Sequence, residues 1–330
     1  MSKQARTLPH QALYQATGAV ISLQDLLLQR YAARTIEYAS HKRSVAGISG
    51  LHLSKIRGRG IDFEEFRPYQ AGDDIRTIDW RVTARTGKPF TKVFREERER
   101  PVLIAVDQSS SMFFGSHVAF KSVVAAQAAA IFCWLAIDNG DRVGGLVYSD
   151  DNFALVRPKR SRRSALHLLN QIQLANADLA TGLSRRAGAP AGGEGTGEEV
   201  GGLATALGRI RRITKPGSTL YVISDFSTMD EAGYQYLYQL SRHNNVVCCF
   251  IHDELEENLP IPGYYSITDG RDKGTLNTFS KKARDNYRNV FQQRLDTLRD
   301  ELTKLQIPLL TLRTDEPVVE RIHQWTSQTL

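Results

Sequence analysis

The sequence has no run of eighteen or more apolar residues, which is the length that a membrane-spanning helix requires. Its most apolar stretch, from about Val123 to Ile137, contains Gln127 and is predicted to form a buried helix. The N-terminus has basic residues but no compact apolar segment followed by small residues, which a secretory signal would need. We therefore expect a cytoplasmic chain that does not span a membrane.

Cysteines and the common catalytic motifs are also scarce. The three cysteines, Cys133, Cys248 and Cys249, lie in apolar runs, which is typical of buried thiols in a reducing compartment. The sequence contains no G-x-x-x-x-G-K-S/T phosphate loop, no HExxH zinc motif, no paired CxxC and no G-x-S-x-G nucleophile elbow. We expect that the chain is not an enzyme and that any energy from ATP comes from a partner.

Charge of one sign is in modest excess. The 43 Lys and Arg residues against 36 Asp and Glu residues give a formal net charge of +7. One alternative is a nucleic-acid-binding protein, which predicts an affinity that falls steeply with salt. Spread over 330 residues, this excess is more typical of a solvated surface, so nucleic acid is not expected as a partner.

The second part of the chain alternates apolar runs with helix patterns. An Ala-rich helix is predicted at about 117–138, and a long amphipathic helix late in the chain has its apolar residues at steps of three and four. Uninterrupted apolar runs are typical of parallel strands that are covered on both faces. These runs are VLIAVD, RVGGLVYS, TLYVISD, VVCCFIHD and PLLTLRT. The pattern predicts an α/β fold with a doubly wound, mostly parallel sheet.

The first part of the chain is predicted to be organised differently. Residues 20–36 predict an amphipathic helix whose apolar face carries Leu23, Leu26, Leu27 and Tyr31. Between residues 75 and 94, Ile78, Trp80 and Val82 alternate with polar residues, which indicates a strand with Trp80 as a core anchor. We predict three regions and one mobile loop: a helical segment 1–38, a β-rich extension 39–98, an α/β domain 99–330, and a Gly-rich loop at 184–202 inside that domain.

Oxygen-bearing side chains follow two of the predicted strands. VLIAVD ends at Asp107, with Ser109 and Ser111 next in the chain. TLYVIS is followed by Asp225, which is expected to reach the same site through a water molecule or by contacting a direct ligand. Ligands bind beyond the carboxyl ends of strands in open α/β sheets. One carboxylate with two hydroxyls suits Mg²⁺ or Mn²⁺, bound weakly and with an open coordination position. The alternative is that the serines cap the following helix and Asp107 hydrogen-bonds the turn.

Residues 101–312 resemble a von Willebrand factor A domain. The resemblance implies a metal-ion-dependent adhesion site in which the DxSxS residues match Asp107, Ser109 and Ser111, and a later aspartate matches Asp225. The family's threonine, which commonly follows a glycine before a helix, is missing here. This chain reads EEVGGLATALGRI, with Gly201 or Gly202 at the corresponding position and with Thr205 or Thr196 as the possible substitutes.

A second resemblance covers about residues 35–325 and is more specific. An R-x-Y-x-x-G-D-D-x-R-x-I-D-W-x-x-x-A-R run is similar to the signature of the bacterial family called domain of unknown function 58. Its residues are Arg67, Tyr69, Gly72, Asp73, Asp74, Arg76, Ile78, Asp79, Trp80, Ala84 and Arg85. The resemblance implies a cytoplasmic adaptor that works with a MoxR-type AAA+ ATPase in the chaperone-like maturation of a client protein.

The charged residues of this run admit two interpretations. Asp73, Asp74 and Asp79 lie among arginines, so the opposite charges are expected to neutralise one another and to hold the β-rich segment against the main domain. The alternative is a metal-dependent phosphoesterase or nuclease centred on the three carboxylates. The nearby arginines offset much of the negative potential that such a site needs, which favours the structural interpretation.

Overall fold

The computed structural model describes residues 15–44, 61–70, 73–96, 101–187, 202–268 and 273–329. Two compact units contain them: a small unit within Ile48–Glu99 and a large unit made of the segments before and after it. Each unit is described by itself below. The Gly-rich loop predicted at 184–202 lies largely outside the described residues.

The small unit contains an antiparallel strand pair. Strand β1 (Ile61–Pro68) pairs with β2 (Phe90–Glu96), with a register shift between Phe63 and Glu65. A 3₁₀ turn at Ile75–Thr77 and a short helix α2 (Trp80–Thr86) connect the two strands. The described part of this region therefore has a strand at each end and helical turns between them.

The strand predicted through Ile78, Trp80 and Val82 is wrong, because a helix begins there. The Asp79 carboxylate accepts hydrogen bonds from the backbone N–H groups of Arg81 and Val82, and so caps α2. Gly87 ends the helix at φ 71°, in the left-handed region that glycine adopts readily. Trp80 is 67% exposed, so it is not a core anchor.

The large unit is built on one sheet of six strands in the order β10-β7-β6-β3-β4-β5. All neighbouring strands are parallel except β4 and β5. The strands are β3 (Pro101–Asp107), β4 (Arg142–Tyr148), β5 (Phe153–Lys159), β6 (Thr219–Ser224), β7 (Asn245–His252) and β10 (Leu309–Arg313). A separate hairpin pairs β8 (Tyr264–Thr268) with β9 (Lys273–Asn277). The predicted α/β fold with a mostly parallel sheet is confirmed.

Helices cover both faces of this sheet. They are α1 (Leu23–Ser44), α3 (Lys121–Asp138), α4 (Arg162–Ala187), α5 (Leu203–Arg211), α6 (Glu231–Ser241), α7 (Glu254–Glu257), α8 (Lys281–Lys304) and α9 (Val318–Thr329). Along β3, Ile104 and Val106 pack with α3 on one face, while Leu103 and Ala105 pack with α5 on the other. Alternate residues therefore face different layers, and both are apolar, which explains the uninterrupted apolar runs.

Helix α1 belongs to the large unit, and the face that it buries differs from the predicted face. Leu26 is fully buried, but Leu27 is 37% exposed and Tyr31 is 54% exposed. The buried positions that continue from Leu26 are Ala32, Ala33 and Ile36. Small alanines therefore lie on the face of α1 that packs against α3, whereas the larger Leu27 and Tyr31 are exposed to solvent. A prediction that considers only large apolar residues does not identify this buried face.

Two further helices bear on the sequence predictions. Helix α3 is long and apolar enough to span a membrane by length and composition, but 83% of it is buried inside the protein. It is the central helix of one layer, as predicted for Val123 to Ile137. Helix α4 continues to Ala187, so residues 184–187 are helical rather than part of the predicted loop. The three cysteines are buried and free.

The chain order of the strands places a topological switch at β3. From β3 the chain proceeds to β4 on one side, and it returns through β6 on the other side. Helix α3, which follows β3, packs on one face, whereas α6, which follows β6, packs on the opposite face. The connections leaving β3 and β6 therefore diverge, and a crevice is expected beyond the carboxyl ends of these two strands.

Candidate functional site

Asp107 lies at this switch point, as the last residue of β3. Its side chain is buried, with 2% of the residue exposed. Carboxylate Oδ1 accepts a hydrogen bond from the Ser109 N–H at 2.9 Å, and Oδ2 accepts one from the Ser224 hydroxyl at 2.6 Å. Its partners are thus neutral groups, one from its own loop and one from the end of β6.

The serines of the same loop form a chain of hydroxyls. Ser109 Oγ and Ser111 Oγ lie 3.2 Å apart, and the Ser227 hydroxyl donates to Ser111 Oγ at 3.2 Å. Ser110 between them is exposed, and its N–H donates to the carboxylate of Asp150 at 3.1 Å. The loop therefore turns its first and third serines toward the residues that follow β6.

The interpretation of these serines as helix caps is wrong. The cap of α3 is Phe120, which provides no side-chain hydrogen bond. Ser109 precedes the 3₁₀ turn Ser110–Met112, but its hydroxyl makes no capping hydrogen bond there either. The hydrogen bond from Ser109 N–H to Asp107 does stabilise the turn, as that interpretation expected.

Asp225 arrives at the same place from the neighbouring strand. It follows β6 directly, is 3% exposed, and accepts a hydrogen bond from the Ser227 N–H on Oδ1 at 2.9 Å. Phe226 is held at φ 52°, a left-handed conformation uncommon for a bulky residue. Its N–H donates to Ser224 Oγ, which in turn donates to Asp107. The structure therefore brings together Asp107, Ser111 and Asp225, as the strand ends predicted.

The two buried carboxylates differ in charge compensation. Burial, together with the Asp225 charge, raises the pKa of Asp107 to about 6, although the hydrogen bonds from Ser109 and Ser224 oppose the rise. Burial alone would also raise the pKa of Asp225, but the Lys121 ammonium holds it below its ordinary value. Asp107 therefore carries a negative charge that its neighbours balance poorly.

Lys121 is a site residue that the sequence reasoning missed. It begins α3, and its side chain is 2% exposed. Its ammonium donates to Asp225 Oδ2 at 2.8 Å and to Glu256 Oε1 at 2.6 Å. Ser224, Ser227 and Glu256 were also missed. Ser224 and Ser227 flank Asp225 in the chain, whereas only the fold brings Lys121 and Glu256 to the site.

Thr205, the candidate for the missing threonine, is placed differently from the other four residues. It is exposed on α5, and no contact of the described residues joins it to Asp107 or Asp225. The cap of α5 is Gly202, and the N–H of Leu203 donates to the hydroxyl of Thr228, which lies just beyond β6. The other candidates, Thr196 and Gly201, lie outside the described residues.

A cavity of about 640 Å³ adjoins the DxSxS loop on the β4 side. Gln108 at its edge is fully buried, and its side chain donates to the Ser122 carbonyl at 2.9 Å. The amide of Asn176 on α4 donates to Gln108 Oε1, and Asn176 Oδ1 accepts from the Ile21 N–H. These amide hydrogen bonds link Gln108 of the loop to α3, to α4 and to the segment before α1.

The carboxylates of the small unit have separate local partners. Asp73 forms an ion pair with Arg67 at 2.6 Å and accepts from the Gln70 N–H. Asp74 accepts from the N–H of Arg76, and Asp79 caps α2. Among the residues that the structure describes, no group of three or more His, Cys, Asp or Glu side chains is arranged to hold a metal ion. The phosphoesterase alternative gains no support from this arrangement.

The remaining motif residues of the small unit are largely at its surface. Arg76, Trp80 and Arg85 are exposed, and Tyr69 is half-buried. The Tyr69 N–H donates to the Pro89 carbonyl at 2.8 Å, which closes the segment between the two strands. The signature run therefore combines local caps and turn bonds with an exposed side-chain surface.

The comparison with protein families agrees with the resemblance found in the sequence. The family described as Protein of unknown function DUF58 matches residues 65–299, which include both the arginine–aspartate run and the DxSxS loop. The chain belongs to the DUF58 family. An uncharacterized protein from Mycobacterium tuberculosis is 31% identical to this DUF58 protein over 86% of this chain and 84% of its own length. Uncharacterized protein YeaD from Bacillus subtilis is 26% identical over 37% of this chain and 28% of its own length.

Solved structures similar to the DUF58 protein include two bacterial proteins. Conserved hypothetical protein BatB from Bacteroides thetaiotaomicron has a TM-score of 0.41 and 16% identity, over 69% of this chain and 98% of that one. A von Willebrand factor type A protein from Catenulispora acidiphila has a TM-score of 0.35 and 13% identity, over 73% of this chain and 44% of that one. The fold described above rests on the strands and helices of this chain.

Proposed function

We propose that this protein is a non-enzymatic docking module whose interaction surface lies at the carboxyl ends of β3 and β6. Asp107, Ser109 and Ser111 would hold a Mg²⁺ or Mn²⁺ ion there, and a carboxylate from a partner would complete its coordination. The ion supplies a positive charge and an open ligand position. The chain supplies the orientation of the oxygens and a buried negative charge.

One observation carries this proposal: the poorly compensated charge of Asp107 lies beside two hydroxyl oxygens 3.2 Å apart. Two oxygens that bind one Mg²⁺ at right angles, each at about 2.1 Å, are separated by about 3 Å. The spacing of Ser109 Oγ and Ser111 Oγ therefore fits such a pair. Oxygen donors with one carboxylate suit a hard cation and favour weak binding.

Two of the predicted site residues are not placed to contribute to the ion's coordination in this arrangement. Asp225 is engaged by the ammonium of Lys121, and Thr205 is exposed on α5 without a contact to the site. The ion would thus be held by fewer protein oxygens than the resemblance implies. The proposal is accordingly one of weak binding that a partner's carboxylate strengthens.

The partner that we propose is a MoxR-type AAA+ ATPase, with the chain as its cytoplasmic adaptor for a client protein. This part of the proposal is supported by the resemblance to the family, and by the lack of a phosphate loop in the sequence. An adaptor without its own ATPase activity needs a surface that docks the ATPase. The DxSxS loop with its proposed divalent ion is a surface whose charge suits an acidic side chain of a partner.

The test is capture of interacting proteins by the full chain, in Mg²⁺ and in EDTA, with identification by mass spectrometry. The double variant Asp107→Ala, Ser109→Ala removes two of the proposed ligands. Ser110→Ala is the matched control, because Ser110 is in the same loop and is exposed. We expect the wild type and Ser110→Ala to capture an AAA+ ATPase in Mg²⁺ and not in EDTA. The double variant should capture no AAA+ ATPase in either buffer. Equal capture by all proteins in both buffers would contradict the proposal.

A further inference from the structure

The site contains a buried ammonium group, that of Lys121. Lys121 is 1% exposed, which is exceptional for a lysine unless its charge is paired. Its two carboxylate partners are Asp225, 3% exposed, and Glu256, whose side chain is 29% exposed. The ammonium thus joins a residue that follows β6 to a residue of α7, which follows β7.

The position of Lys121 is fixed from two sides. Glu256 accepts from Lys121 on Oε1 and from the Asp253 N–H on Oε2, where it completes the capping box of α7. Asp253 in turn accepts from the Ser116 N–H at 2.8 Å, which ties α7 to the chain that leads into α3. Glu256 therefore links the ammonium of Lys121 to the cap of α7.

The result is that Asp225 is paired with an ammonium, whereas Asp107 is hydrogen-bonded to neutral donors. Asp225 Oδ2 accepts from Lys121, and Oδ1 accepts from the Ser227 N–H. Asp107 receives hydrogen bonds from neutral donors, and none of the ion pairs found among the described residues includes it. A divalent cation at this site would meet one carboxylate whose charge is not paired with a cation and one whose charge is already neutralised.

We propose that Lys121 is a built-in cation of this site, which withholds Asp225 from a divalent ion and confines divalent binding to Asp107, Ser109 and Ser111. The inference rests on the proposed function, because it concerns the ion of the same surface. It explains how the site remains ordered when the ion is absent. It also makes the lysine, rather than the missing threonine, the main determinant of weak affinity.

The first test is Mn²⁺ titration calorimetry on the purified full chain, with no partner present. Lys121→Met changes the combined charge of residues 107, 121 and 225 from minus one to minus two. We expect at least about tenfold tighter Mn²⁺ binding, because the repulsion between a divalent ion and a nearby ammonium is removed. Mn²⁺ binding no tighter than that of the wild type, in a folded Lys121→Met protein, overturns the inference.

A second variant keeps the test valid if the unpaired Asp225 prevents Lys121→Met from folding. Lys121→Met combined with Asp225→Asn removes both charges, so the net charge matches that of the wild type and no buried carboxylate is left at position 225 without its ammonium partner. We expect its Mn²⁺ affinity to stay within about threefold of the wild-type value, since Asp225 is not used by the ion. A loss of tenfold or more would show that Asp225 is a ligand, and would overturn the inference.

These outcomes differ from a failure of the proposed function. The calorimetry involves no partner, so it reports on the lysine alone, and Asp107→Asn provides the control that should abolish Mn²⁺ binding. Capture of an ATPase that is insensitive to Mg²⁺ would contradict the docking proposal while leaving the effect of Lys121 on Mn²⁺ affinity intact.

Discussion

The ionisation of Asp107 couples the candidate site to the stability of the fold. Asp107→Asn removes the charge and leaves a side chain of the same size, whose oxygen can still accept from the Ser109 N–H. The variant therefore isolates the effect of one buried charge. The expected result is a difference in unfolding free energy between wild type and variant that depends on pH.

The sign and size follow from the pKa values. The pKa of Asp107 is about 6 in the folded chain against an ordinary value of 3.8, so the folded state holds its proton to higher pH than the unfolded state does. The contribution of protonated Asp107 to the free energy of unfolding is fully present below pH 4 and is lost as the pH rises through 6. At about 1.4 kcal/mol for each pKa unit, the loss approaches about 3 kcal/mol, of which about 2 kcal/mol falls between pH 4.5 and 7.5.

Urea denaturation in EDTA at several pH values measures this difference, and subtraction of the Asp107→Asn curve removes the contributions of other groups. We expect the wild type to lose stability relative to the variant as the pH rises from 4.5 to 7.5. Millimolar Mg²⁺ should then restore part of the loss at pH 7.5, since an ion that binds only the folded state stabilises it. A difference that does not change with pH would refute the assignment of a poorly compensated charge to Asp107.

Three further predictions address other parts of the molecule. Trp80→Ala should lower the free energy of unfolding by less than about 1 kcal/mol, against about 3–5 kcal/mol for Trp134→Ala, which removes a side chain only 4% exposed; thermal or urea denaturation distinguishes them. Gly145→Ala should cost more than about 2 kcal/mol in the same assay, because a methyl group there would overlap the carbonyl oxygen of Ile104 on the paired strand. Thr205→Ala should leave the Mn²⁺ affinity measured by calorimetry unchanged, and a marked loss would return Thr205 to the site.

The fold of the large unit was predictable because its strands are buried on both faces. A run such as VLIAVD has no polar position to interrupt it, since Leu103 faces one helical layer and Ile104 the other. The sites of Asp107 and Asp225 followed from the same pattern, because each residue comes at or just after the carboxyl end of a parallel strand.

The small unit shows where the pattern is insufficient. Three alternating apolar residues from Ile78 to Val82 are too few to distinguish a strand from a short helix. The sequence does contain the competing signals, an aspartate at position 79 that can cap a helix and a glycine at position 87 that can end one. These signals determine the structure, and Trp80 is exposed as a consequence.

Lys121 could not have been assigned to the site from the sequence. It begins an apolar helix, where a basic residue is common. Its carboxylate partners lie far away in the chain, Asp225 directly after β6 and Glu256 on α7. Only the tertiary arrangement of β3, β6 and β7 places the three charges together. Composition and periodicity carry no information on such a contact.

The central claim, docking at the carboxyl ends of β3 and β6, is tested most directly by photo-crosslinking in cells. A photoreactive residue is substituted at Ser110, which is exposed in the DxSxS loop, and, as a control, at Leu166, which is 41% exposed on α4. We predict an adduct with an AAA+ ATPase from position 110 and none from position 166. Adducts with that ATPase from position 166 alone, or none from either position, would contradict the docking surface proposed for this protein.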